Sequence, residues 1–331
     1  MSHQLPVIDP TPYPDHEIPR LAEEIRELAA ERRAIILAHN YQRPEVQDVA
    51  HFVGDSLGLS RRAADVAEDV IVFCGVHVMA ETAKVLAPDK VVLLPDLEAG
   101  CSLADTITPE EVRGWRRQFP DHVAVGYVNT TAAVKAELDY CCTSGNVLDV
   151  IDAIPADRGI LFLPDMFLGA HVRRMRPDRD VEVWMGECHV HAGIDIDALE
   201  AARAANPRSE VLVHPECGCA SRLLYRMADG DLPPEGIHIA STEGMINLTR
   251  TLDADTFIVA TETGIIHRMR QMAPGKRFVP ADRAAECAYM KTITLLDVRD
   301  ALRHNQHVIE VPEAIRIRAR TAIERMVALG A

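Results

Sequence analysis

The chain has 331 residues, 48% of them hydrophobic and 26% charged, the composition of a compact globular protein, and its length argues for about two domains unless an internal repeat overrules that. A formal net charge of −15 opposes non-specific attraction to nucleic acid or anionic membrane, so an anionic substrate would need positive potential supplied locally. No apolar run approaches the ~20 residues of a bilayer span, and the N-terminal stretch has no leader-like segment, so the expected location is the cytoplasm and the eight cysteines are expected to be metal ligands, reactive thiols or core rather than a disulfide framework.

Taken in chain order, Ile18–Arg33 reads as an amphipathic helix with Leu21, Ile25 and Leu28 on one face. Three short apolar runs then end in polar residues: AIILAH at 34–39 before NYQ, VAVGY at 123–127 before VNT, and VLVH at 211–214 before PEC. Such continuous, β-branched runs suit parallel strands covered on both faces. Each is followed by a hydroxyl at a helix start, namely Ser56, Ser144 and the pair Ser241-Thr242, and then by a second strand-like run at 71–75, 160–165 and 257–264. A third run in each case leads to a cysteine: Cys101, Cys188 and Cys287. Thr108-Pro-Glu-Glu111 reads as a capping box, and Pro312 opens a C-terminal amphipathic helix.

The register marks a repeat. His39 to Tyr127 is 88 residues and Tyr127 to His214 is 87, while Ser56 to Ser144 is 88 and Cys101 to Cys188 is 87. Only Cys188 to Cys287, at 99, departs, and the excess falls between His214 and Thr242, within CASRLLYRMADGDLPPEGIH. A period this long implies three similar three-layer α/β domains with small parallel sheets, at 18–106, 107–193 and 194–331, the last with the C-terminal helix. Ligands of open α/β sheets bind beyond the carboxyl ends of the strands, where this reading places His39, Asn40, Tyr41, Tyr127, Asn129, His214, Glu216 and the three repeat cysteines. The domains would then converge on one central site in a pseudo-threefold arrangement.

One thiol per domain, without a Cys-x-x-Cys pair, is unlike a structural zinc site. It suits a [4Fe–4S] cluster in which three cysteines leave one iron free as a Lewis acid, the chemistry of dehydration rather than electron transfer. Cys74, Cys141 and Cys142 read as core, whereas Cys217 and Cys219 in HPECGC could compete as ligands but lack the register. His189 would point away from Cys188 in an extended segment and is expected to be scaffold, and His77 is left open. Ser56, Ser144 and Thr242 fit both helix capping and anion binding. Two rival functions also fit parts of the chain. Gly54-Asp-Ser-Leu-Gly58 satisfies a serine-hydrolase nucleophile elbow at Ser56, with His214 as the available histidine, and the cysteines could instead belong to a non-enzymatic iron–sulfur or zinc sensor. There is no Gly-x-Gly and no Gly-Lys-Ser/Thr loop for a nucleotide.

HNYQ at 39–42, GDS at 54–56, FCGVHVMAE at 73–81, PDLEAGCSLAD at 95–105, YVNT at 127–130, CTSGN at 142–146, FLPD at 162–165, CHVH at 188–191, HPEC at 214–217, STEGM at 241–245 and CAYMK at 287–291 together resemble the quinolinate synthase family over roughly residues 18 to 300. The resemblance implies condensation of iminoaspartate with dihydroxyacetone phosphate to quinolinate, phosphate and two waters for NAD biosynthesis, on three α/β domains around a central [4Fe–4S] cluster. It implies Cys101, Cys188 and Cys287 as cluster ligands and Tyr41, Tyr127, His191 and Glu216 as catalytic groups, with Glu216 the leading base. It further implies His39, Ser56, Tyr127, Asn129, Ser144, His214, Glu216 and Thr242 as substrate contacts, and a transient contact with the enzyme that makes iminoaspartate. The Cys-x-x-Cys-x-x-Cys that some members carry around the last ligand is missing at Cys287, so no disulfide switch is expected there.

Overall fold

In the computed structural model, which describes residues 5–8, 11–229 and 235–330, twelve strands form three four-stranded parallel sheets. The first contains β1 (Ala34–His39), β2 (Phe52–Gly54), β3 (Val70–Cys74) and β4 (Val91–Leu93) in the order β2-β1-β3-β4. The second repeats that order with β5 (Val123–Tyr127), β6 (Tyr140–Cys142), β7 (Ile160–Leu163) and β8 (Val181–Val183), and the third with β9 (Glu210–Val213), β10 (Ile237–Ile239), β11 (Thr256–Ala260) and β12 (Arg277–Pro280).

The reason for this plan is visible in the central strands. Every residue of β1 and of β3 is buried, because helices cover both faces, and a strand buried on both faces must be apolar throughout. Ile35, Ile36 and Leu37 are at most 1% exposed, each worth about 1.5–3 kcal/mol of burial. The edge strands β2, β6 and β10 are three residues each and carry no period that sequence reading can detect, so the three runs expected per domain become four strands. The second runs also stop earlier than expected, at Leu163 and Ala260, which frees Thr261 and Glu262 from the ladders, while Asp165 keeps a single parallel bridge to Gly186. The first helix ends at Glu31 because Arg33 takes φ 48°, a left-handed turn that feeds β1.

The capping expectation needs correction. Asp55 and Ser241 are the caps, their side chains accepting from the backbone N–H of Gly58 and Gly244. Ser56 and Thr242 are the first helical residues instead, and Ser144 precedes the cap position Asn146. The capping box at Thr108 and Glu111 is present. The third-repeat insertion includes residues 230–234, which lie outside the described residues. Its described part contains a helix, Gly218–Ala228, where the other sheets have only Pro44–Val49 and Ala132–Lys135. The C-terminal helix, Glu313–Ala328, follows the third sheet in sequence but packs Ala319, Ala322, Ile323 and Met326 into the core built on the second.

Candidate active site

A cavity of about 60 Å³ lies where the carboxyl ends of the central strands meet. The expected ligands Cys101, Cys188 and Cys287 all line it, together with Tyr41, Tyr127, His191 and Glu216. So do the expected substrate contacts His39, Ser56, Asn129, Ser144, His214 and Thr242. Asn40 is not on the wall; its side-chain amide donates to Thr242 Oγ1 at 3.1 Å and supports that hydroxyl from behind.

Residues that leave β1 and β9 fix the state of two imidazoles. The N–H of Tyr41 donates to Nδ1 of His39 at 3.2 Å, and the N–H of Glu216 donates to Nδ1 of His214 at 3.4 Å. Each bond is to the residue two positions on, so the hydrogen-bond pattern assigns both rings the tautomer with the proton on Nε2. In His214 that N–H meets Ser144 Oγ at 3.1 Å. Ser144 is therefore an acceptor, the reverse of what a nucleophile beside its base requires. The histidine of the hydrolase reading is thus engaged by Ser144 and not by Ser56, and it presents a proton to that serine.

Glu216 is 2% exposed and sits between two imidazoles, with His191 Nδ1 3.5 Å from Oε2 and His214 Nδ1 3.8 Å from Oε1. The two rings stack at 4.8 Å. Burial lowers His191 to about 3 and His214 well below the ordinary histidine value, so both are neutral and neither contact is an ion pair. Burial, reinforced by the charge of Asp165, raises the Glu216 carboxyl well above the usual carboxylate range. Burial likewise raises Tyr127, and the Glu216 charge raises it further. On the other side, Tyr41 Oη lies 2.5 Å from Thr261 Oγ1 and 3.3 Å from His191 Nε2, which is itself 2.9 Å from Thr261 Oγ1. Phenol, imidazole, hydroxyl and carboxyl thus form one connected set.

Four polar atoms on this wall are buried and have no partner among the described residues: Glu216 Oε1, His191 Nδ1, Asn129 Oδ1 and His189 Nε2. Buried polar groups are normally satisfied, and four orphans on one wall mark a place where another molecule completes the bonding.

The sulfurs meet a further test. Each stands at the start of the turn or helix that follows its strand, where nearby backbone N–H groups (Leu103 and Ala104 for Cys101, His191 for Cys188, Met290 for Cys287) favour the thiolate electrostatically. Burial nevertheless pushes Cys101 up to about 11 and Cys287 to about 12, with Cys188 well above its ordinary value. Without a cation these are thiols, inert as nucleophiles; beside a bound cation they become thiolates. Three such sulfurs from three domains fit an iron–sulfur group. A smaller set, Cys188, His191 and Glu216, has ligand atoms within 4.8 Å of one another and could hold a single ion. Cys217 and Cys219, the competing pair, are bonded to each other and buried under the third sheet, whereas Cys74, Cys141 and Cys142 are core.

Several residues on or beside this wall escaped sequence reading. Lys291 is buried with Nζ 3.0 Å from Glu262 Oε1 and donates also to the Tyr41 carbonyl. Glu262 accepts in addition from the N–H of Cys287 at 3.1 Å and of Gly264 at 2.7 Å. The pair thereby ties Tyr41 to the Cys287 turn. Gly264 must be glycine, since a Cβ there would stand 2.7 Å from both Lys291 Nζ and the Tyr41 carbonyl oxygen. The only signal in the sequence was the position of Thr261 and Glu262 just past a central strand; nothing there marks a buried lysine. His189 also corrects the expectation. The segment after Cys188 is a short helix, His189–Gly193, rather than extended chain, and His189 lines the cavity instead of pointing away. His77 opens the helix His77–Leu86, its N–H donating to the Ala99 carbonyl at 2.7 Å.

The family profile described as Quinolinate synthetase A protein matches residues 23–328. A quinolinate synthase of Thermus thermophilus is 54% identical over 310 residues, covering 94% of this chain and 97% of the relative. Quinolinate synthases of Mycobacterium tuberculosis and of another Mycobacterium species are each 52% identical, over 94% and 93% of this chain and 89% and 92% of theirs. Matches of this extent, joined to three parallel sheets around one cysteine-lined cavity, place the chain in the quinolinate synthetase A family of enzymes.

Proposed function

We propose that the chain condenses iminoaspartate with dihydroxyacetone phosphate to give quinolinate, phosphate and two waters, with a [4Fe–4S] cluster held by Cys101, Cys188 and Cys287. The observation that carries this reading is the meeting, in one cavity, of one cysteine from each domain with the Glu216 carboxyl, the Tyr41 and Tyr127 phenols and the neutral imidazoles of His39, His191 and His214. When bound, such a cluster supplies a Lewis-acidic iron that has no protein ligand.

The chain's own residues have separable tasks. Ser56 and Thr242, each the first residue of a helix, offer hydroxyls at the positive end of a helix dipole, which favours a carboxylate or phosphate without a basic side chain. His39 presents an Nε2–H donor that orients a substrate oxygen, His214 donates its own to Ser144 and so turns the Ser144 hydroxyl proton toward substrate, and Asn129 adds its unpaired carbonyl as an acceptor. Glu216, whose buried carboxyl exchanges a proton more readily than an ordinary ionised one, takes protons from substrate carbon, and Tyr127 beside it returns them. Tyr41 and His191 form the second donor set on Thr261. The buried side chains of the wall limit contact with bulk water, which protects imine and enamine from hydrolysis.

The reading extends to domain divisions at residues 106/107 and 193/194, to a cytoplasmic enzyme, and to a transient contact with the enzyme that makes iminoaspartate. Among the described residues no helix is long and apolar enough to cross a membrane. The test is anaerobic purification with iron and acid-labile sulfide analysis, followed by assay of quinolinate formed from the two substrates. About four irons and four sulfides per chain with turnover support the reading; zinc alone, or no cluster after reconstitution with iron and sulfide, overturns it.

A further inference from the structure

Three side chains just past the cysteines form a set that the proposed reaction leaves unused. Ser102 follows Cys101, His189 follows Cys188, and Tyr289 lies two residues past Cys287; all three line the cavity. Ser102 Oγ is 2.7 Å from His189 Nδ1, and the Tyr289 ring meets the His189 ring edge-on with centroids 5.9 Å apart. One contact therefore joins the first domain to the second, and the other joins the second to the third. Tyr289 is itself held in place, since a Cβ added at Gly100 would lie 3.2 Å from its ring.

His189 Nε2 is buried and has no partner among the described residues. An orphan ring nitrogen calls for a partner, and this one stands on the wall of a cavity lined by three sulfurs. Which proton it carries follows from the bond on the other side. When the Ser102 hydroxyl donates to Nδ1, the ring proton resides on Nε2. A metal–sulfur group held by three thiolates is electron-rich at sulfur and favours a donor facing it.

We propose that His189 donates its Nε2–H to sulfur of the cluster held by Cys101, Cys188 and Cys287, and that Ser102 fixes the ring in that tautomer. The inference rests on the iron–sulfur reading above. His189 is then a positioning and tuning residue for the cofactor rather than a catalytic one. Neutral donors to sulfur stabilise the reduced, more negative cluster and secure it against loss.

The experiment compares the parent with His189→Leu, His189→Gln and Ser102→Ala, each reconstituted anaerobically. Iron and sulfide content, the reduction midpoint by electron paramagnetic resonance, and the rate of iron loss to a chelator are measured. Circular dichroism and the melting midpoint confirm that each variant is folded. The expected result is full loading in all four proteins, with a more negative midpoint and iron loss about 10–100-fold faster in His189→Leu. His189→Gln, whose side-chain amide keeps a donor, returns both values toward the parent, and Ser102→Ala falls between. A His189→Leu protein with the parent's midpoint and iron-loss rate overturns the inference while leaving the cluster reading intact. Failure of the parent itself to load a cluster overturns the reading and the inference with it.

Discussion

Two sets of positions meet in this cavity, and they treat the threefold repeat differently. At the cysteine positions the three domains agree: Cys101, Cys188 and Cys287 each follow the last strand of a sheet and each line the same cavity. At the ends of β1, β5 and β9 they diverge: the last position is His39, Tyr127 and His214, so one domain differs from the other two, and two residues further on all three differ, as Tyr41, Asn129 and Glu216. Equivalent backbone positions thus carry identical groups where something symmetric is to be held and different groups where something asymmetric is to be transformed. Repetition supplies the scaffold, and divergence at the strand ends supplies the chemistry.

The sharpest way to break this comparison is to change one of the like positions. Cys101→Ser, Cys188→Ser and Cys287→Ser should each lose the metal group and all turnover while remaining folded, as read by iron and sulfide content, activity and circular dichroism. One that stays fully loaded and active shows that the three are not equivalent. Changing an unlike position should separate binding from chemistry: Glu216→Gln keeps its iron but loses about 10²–10⁴ in kcat. Unimpaired turnover would remove Glu216 from the mechanism.

Smaller effects test how the two sets are joined. Lys291→Met strands the buried Glu262 carboxylate between Tyr41 and the Cys287 turn, and should cost about 3–5 kcal/mol in denaturant unfolding. Burial holds His39 at about 3, below its ordinary 6.5, so its native state excludes a proton that the unfolded chain binds. That contribution is complete above pH 6.5 and is lost as pH falls toward 3, by about 1.4 kcal/mol per pH unit. The metal-free His39→Asn protein should lack this part of the parent's acid sensitivity, and identical pH profiles would contradict the neutral assignment. Finally, Asp55→Ala should lower stability by about 1 kcal/mol through the lost cap, while its neighbour Ser56→Ala leaves stability almost unchanged and raises KM. The opposite pattern would make Ser56 the structural residue.

Much of this was legible before folding was considered. The central strands announce themselves because burial on both faces demands unbroken apolar runs, and the period of 87 or 88 residues brings the cysteines into one register. The groups on the cavity wall were legible because they sit at fixed offsets from those strands. The three-residue edge strands were not, since backbone pairing to a neighbour creates them without any side-chain pattern. His189 was misread because the chain after Cys188 turns into a helix, which rotates successive side chains by about 100° rather than to alternate faces. The pairing of Lys291 with Glu262 was invisible because a buried ion pair is made by two segments that meet only in space.

The sequence by itself therefore determined the number of domains, the parallel sheets and the residue types that reach the centre, because these depend on local apolar pattern and on spacing along one chain. The tertiary structure alone decided the tautomers of His39 and His214, the neutrality of the imidazoles, the cap identities at Asp55 and Ser241, and the packing of the C-terminal helix on the second domain's core. The physical reason is the same for each. Protonation and hydrogen bonding respond to burial and to partners brought close by folding, and neither is encoded in the order of residues at any one place.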